Sequence, residues 1–130
     1  MRKARNRYER SRQVLAWLEA EWPAGRKVEL IWVDEIKDQD ERTGKPYHCH
    51  GQTYREGRHL VIELSRKKCR TWEGTTETLI HEWCHAVQWG PAALEEKTEH
   101  HPAWFYTLYG EIMNRWDHDH GWEQANEYPF

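Results

Sequence analysis

The sequence predicts an α+β domain in which a small β-sheet is backed by helices. Three observations lead there. Apolar residues recur at helical spacing in three separate segments, two-residue alternation with a single exception appears in another, and the order of the elements is helix, three strands, helix, helix. At 130 residues the chain has the size of one domain, here residues 1–130 as a unit. Charged residues make up 32% of it, yet nine Trp, six Tyr and two Phe supply enough apolar bulk for a core, which excludes a disordered chain.

The first helix is expected over Asn6–Trp22, where Tyr8, Ser11, Leu15, Leu18 and Trp22 share a face and Pro23-Ala24-Gly25 ends the run. Val28–Val33 is short and almost wholly apolar, as a strand buried on both faces would be. The polar stretch Asp34–Lys45 reads as a loop, with Thr43-Gly44-Lys45-Pro46 supplying turn residues. Tyr47–Tyr54 reads as a second strand, and Arg55-Glu56-Gly57-Arg58 can turn it into a hairpin. In the third strand, His59–Ser65, Leu60, Ile62 and Leu64 take one face and His59, Glu63 and Ser65 the other. Val61 breaks the pattern.

A second helix is expected over Thr76–Trp89, capped by Thr75 or Thr76 and closed by Gly90-Pro91. Pro102 suits the first turn of a third helix whose apolar stripe is Phe105, Leu108, Ile112 and Trp116. An aromatic tail, Asp117–Phe130, would follow it. No 20–50-residue repeat is visible.

Charge and cysteine content narrow the function classes. A formal net charge of -3 excludes a globally basic nucleic-acid binder. The six basic residues among the first twelve read first as a charged helix start, with a weak DNA contact as the alternative. No apolar run approaches the roughly 20 residues that cross a bilayer, and no apolar segment follows the basic N-terminus, so no membrane partner is expected. Three Cys (Cys49, Cys69, Cys84) form no disulfide framework and suit a reducing, cytoplasmic setting.

The second helix contains His81-Glu82-Trp83-Cys84-His85, an HExxH motif. Residues four apart on a helix differ by only about 40° around the axis and roughly 6 Å along it, so two imidazoles can converge on one tetrahedral zinc. Glu82 lies about 100° from His81, off the ligand line, where its carboxylate can act on a metal-bound water as general base. On this helix Ile80, Trp83, Cys84 and Val87 form an apolar stripe for packing, with Cys84 as a small core side chain, while His81, His85 and Gln88 form the neighbouring stripe. A catalytic zinc needs a third protein ligand. Glu95, Glu96, Glu99, His100 and His101 are the candidates.

The HExxH helix after an alternating strand, followed by His100-His101-Pro102-Ala103-Trp104 at the start of another helix, resembles the SprT-like zinc metallopeptidases. That family shows a His-Gly-Pro-Glu-Phe-like segment whose His is the third ligand. Aligning Trp104 with its aromatic position implies His100 as that ligand, with His101 replacing the Gly and Ala103 the Glu. The resemblance spans roughly Leu60–Trp116, and its specific part is about ten residues. Fuller members carry a C-terminal zinc ribbon of paired Cys, which this sequence lacks.

The resemblance implies a zincin-like domain holding Zn2+ through His81, His85 and His100, with Glu82 as general base and a protein or peptide as substrate. Tyr106, Tyr109 and His101 are candidates for stabilising the oxyanion, and by analogy His59–Ser65 would be the edge along which substrate adds. A glutamate third ligand would instead make the chain gluzincin-like. A closed four-ligand site would make it a non-catalytic interaction module. His48-Cys49-His50 reads as half-buried strand before it reads as a second metal site, and Asp117-His118-Asp119-His120 as the solvated end of the last helix.

Overall fold

The computed structural model describes residues 3–89 and 103–124, with side chains of the last helix described as far as His120. The elements run α1 (Arg7–Glu21), β1 (Val28–Val33), β2 (Ile36–Gln39), β3 (Pro46–Cys49), β4 (Gly51–Glu56), β5 (His59–Ser65), α2 (Trp72–Val87) and α3 (Ala103–Gln124). The fold is α+β, with helices packed on a three-stranded sheet ordered β1-β5-β4 and a separate β2–β3 hairpin.

Local chemistry explains most of the boundaries. Asn6 caps α1 by accepting from the Glu9 amide at 2.9 Å. The β2–β3 hairpin turns at Asp40, whose carboxylate accepts the Arg42 and Thr43 amides. Gly44 takes a φ of 70° there. At the second hairpin Gly57, with φ 65°, occupies the first position between Glu56 and His59, which pair across the turn.

Several expectations change. The polar stretch Asp34–Lys45 is not all loop, because Ile36–Gln39 pairs antiparallel with Pro46–Cys49. The expected strand Tyr47–Tyr54 breaks at His50, where the chain passes from one sheet to the other. Helix α2 begins a turn earlier than expected. Thr71 is its cap, accepting the Gly74 amide at 2.8 Å, while Thr75 and Thr76 lie buried inside the helix. The third helix runs eight residues past Trp116, so Asp117–His120 is helix rather than tail. His120 is no solvated end: it is buried and stacked on Trp116 at 3.9 Å.

The largest revision concerns the sheet. β5 is its central strand, parallel to β1 on one side and antiparallel to β4 on the other, so His59–Ser65 cannot be an edge that receives a substrate strand. Its central place also explains Val61, fully buried on the face opposite Leu60, Ile62 and Leu64. β1, expected to be buried on both faces, is an edge strand in which only Val28 is buried.

The core joins Val14 and Leu18 of α1, Leu60, Ile62 and Leu64 of β5, Leu79, Ile80, Trp83 and Cys84 of α2, and Phe105, Ile112 and Trp116 of α3. The Trp83 indole donates to the Trp22 carbonyl at 2.8 Å and ties α2 to the end of α1. Three of the N-terminal basic residues are engaged within the protein. Arg5 pairs with Glu9, Arg7 donates to the Arg66 and Cys69 carbonyls, and Arg10 is buried over the rings of Trp72 and Trp116. Among the described residues no helix is long and apolar enough to cross a membrane.

Candidate metal centre

The apolar stripe of α2 turns Ile80, Trp83 and Cys84 into the core, and this fixes where its other side chains point. His81 and His85, one turn apart, emerge half-buried beside it. Their rings lie 5.1 Å apart at 70°, and Phe105 of α3 packs against both, at 4.9 Å from His81 and 4.6 Å from His85. A buried aromatic wedge thus restricts both imidazoles before any ligand arrives. Gln88 donates to the Trp104 carbonyl at 3.3 Å and joins the end of α2 to the start of α3.

Glu82 lies on the sheet side of the helix and is 6% exposed. The Thr53 hydroxyl of β4 donates to its Oε1 at 2.8 Å and reaches its backbone carbonyl at 3.1 Å. The other carboxylate oxygen is 3.9 Å from His81 Nε2. Burial pushes the Glu82 carboxyl up to about 7, while the bond from Thr53 works the other way by favouring the ionised form. Gly51 permits this approach. A Cβ there would lie 2.9 Å from Thr78 Cγ2, 3.0 Å from the Glu63 carbonyl oxygen and 3.1 Å from Glu82 Cγ.

The ligand atoms of His81, Glu82 and His85 all lie within 4.8 Å of one another. They are the one group of three or more His, Cys, Asp or Glu residues so placed among the described residues. Two imidazole nitrogens on a tetrahedral zinc would stand about 3.4 Å apart, so this donor set suits the metal with small adjustments. A cleft of about 340 Å3 opens beside the group, lined by His50, Gly51, Glu77, Thr78, His81, Glu82 and Tyr109. Burial, then the Glu77 carboxylate, pushes the half-buried Tyr109 phenol up to about 12. Burial likewise raises the Cys84 thiol to about 12, and Cys84 sits in the core as expected.

The structure therefore gathers His81, Glu82 and His85 into one site. The third-ligand candidates Glu95, Glu96, Glu99, His100 and His101 lie outside the described residues. Of the tyrosines considered, Tyr109 lines the cleft, whereas Tyr106 is 57% exposed and does not. His48 is 3.7 Å from Glu35, and Cys49 is half-buried. Sequence reasoning missed Thr53, Gly51 and Glu77, and it weighed His50 only within the His48-Cys49-His50 strand, not as part of this cleft. A Gly-x-Thr in an ordinary strand carries no signal by itself, but Glu77, four residues before His81, was open to the helical-spacing argument. No family model, curated protein or solved structure matches the chain.

Proposed function

We propose that the chain is a zinc-dependent endopeptidase of SprT-like type, with His81 and His85 as metal ligands, His100 as the third and Glu82 as general base. One observation carries the reading: a buried carboxyl, held by Thr53, stands beside two convergent imidazoles and opens on a cleft. A structural carboxyl would be enclosed by its partners. A general base needs access to a reacting proton.

Zinc, when bound, polarises the scissile carbonyl and makes water a stronger acid. The remaining work falls to the chain. Phe105 limits the rotation of both ligand rings, and Thr53 holds one carboxylate oxygen of Glu82 so that the other is aimed beside His81. Glu82 accepts a proton from the attacking water and passes it to the leaving amine as the C–N bond breaks. Substrate orientation falls to β4. The outer side of this strand pairs with no other described strand, and its first residue lines the cleft. An extended peptide can add there as a further strand.

The test is peptide cleavage by the chain loaded with one zinc, lost on chelation and restored by zinc. His100→Ala should release the metal, while Glu95→Gln, Glu96→Gln and Glu99→Gln should retain it. A single zinc held by four protein donors, with no exchangeable water and no cleavage, would contradict the proposal and identify a closed interaction module.

A further inference from the structure

We infer that Tyr109 is the catalytic residue whose phenol donates a hydrogen bond to the oxyanion of the tetrahedral species, a role that rests on the peptidase reading. Hydrolysis begins when water adds to the scissile carbonyl carbon. The C=O π pair moves onto oxygen, Glu82 takes the water's proton, and the oxygen becomes an anion. When the C–N bond breaks, that pair returns to re-form the carbonyl, and the amine leaves with the proton from Glu82. A donor aimed at the transient anion stabilises the transition state without tightening the ground state.

The cleft narrows the choice of donor. Among its described lining side chains, donors of a neutral hydrogen bond come from Thr78, His50 and Tyr109. The Thr78 hydroxyl is engaged with the Cys69 thiol. His50 is exposed on the rim. Tyr109 is half-buried and positioned by its neighbours. Its ring stacks parallel to Phe105, 6.4 Å away at 7°, and stands 6.0 Å from His81 at 70°. The residue that restricts both ligand rings therefore also sets the plane of the phenol. Thr53 holds Glu82 from the β4 side and Tyr109 lines the same cleft from α3, so base and donor reach it from different elements.

The experiment compares zinc-loaded wild-type protein with Tyr109→Phe. The variant should bind zinc as tightly as wild type, keep KM within about twofold and lose about 10^2–10^3-fold in kcat. Affinity for a phosphonamidate peptide, which mimics the tetrahedral anion, should fall in proportion to kcat/KM, while affinity for the uncleaved peptide in a Glu82→Gln background stays unchanged. Tyr106→Phe should match wild type in all these measures. As a readout that leaves the ring in place, 3-fluorotyrosine at position 109 should show a 19F shift when the phosphonamidate binds. Wild-type kcat in zinc-replete Tyr109→Phe, or equal loss of substrate and phosphonamidate affinity, overturns the role of Tyr109 alone. A fluorotyrosine signal unmoved by the phosphonamidate does the same should the Phe variant not fold. No cleavage by zinc-loaded wild-type protein overturns the peptidase reading and this role with it.

Discussion

Helices α2 and α3 meet along one seam whose two ends are built for opposite purposes. At one end Trp72 and Trp116 face Arg10, Trp17 stands edge-on to Trp116 at 5.2 Å, and His120 stacks on the same indole. At the other end His81 and His85 meet Phe105 and Tyr109, with Glu82 below them. Each end buries a charged residue: Arg10 is 2% exposed and Glu82 6%. The difference lies in what surrounds the charge. Ring faces offer the guanidinium a favourable quadrupole, so the first end closes into core. The carboxyl has a single hydroxyl on one oxygen and an open cleft on its other side. Burial of charge alone does not mark a candidate site; burial beside a cavity and two side chains that could hold a metal does.

Removing a ligand should separate the two ends most sharply. His85→Ala should lower zinc affinity on the order of 10^3-fold or more while the tryptophan end keeps its packing. Zinc titration alongside near-UV circular dichroism checks both halves of that expectation. If zinc affinity is unchanged, the open end is not a metal site.

The next effect concerns the cost of the buried carboxyl in metal-free protein. Folding raises the Glu82 pKa from 4.5 to about 7, so the folded state holds its proton more tightly than the unfolded state. The penalty is absent below about pH 4.5, grows as pH rises and is complete above about 7, where it amounts to about 3 kcal/mol. Denaturant unfolding of Glu82→Gln should therefore match wild type in acid and exceed it by up to about that amount above neutrality. The same scan should find no such divergence for a variant at the tryptophan end.

Arg10→Met sharpens the comparison from the closed side. It removes the guanidinium lying 4.6 Å from the Trp72 ring and 5.7 Å from the Trp116 ring. Stability should fall by about 2 kcal/mol, with zinc stoichiometry unchanged.

The smallest effect belongs to Thr53→Val. Losing a hydrogen bond that favours the ionised carboxylate, worth about 1.5 kcal/mol, should raise the Glu82 pKa by about one unit. The acidic limb of the rate profile should move up by that amount while zinc content stays at wild type. A limb that stays put would remove Thr53 from the account.

How much of this was legible depends on whether the cause was local. The α1 boundaries follow from a cap and a Pro-Ala-Gly stop, and the HExxH face follows from helical spacing around an apolar stripe, so both could be read directly. The early start of α2 was hidden by Gly74, which reads as a helix breaker but is the residue whose amide the Thr71 hydroxyl accepts. Strand β2 was hidden because Ile36–Gln39 has one buried residue in four and owes its conformation to pairing with β3. The centrality of β5 was hidden because strand order is set by a crossover from β1, which no local pattern encodes. The support for Glu82 was hidden for the same reason: Thr53 meets it from 29 residues away in sequence.

If the open end of the seam hydrolyses peptides with Glu82 as base rather than as ligand, removing the carboxylate separates activity from metal binding. The most direct measurement is kcat/KM for a cleaved peptide in wild-type and Glu82→Gln protein, each verified to hold one zinc. Equal zinc content with activity reduced by about 10^3-fold or more is the expected result. Retained activity in zinc-replete Glu82→Gln would contradict the assignment of the base, and loss of the metal from that variant would make Glu82 a ligand instead.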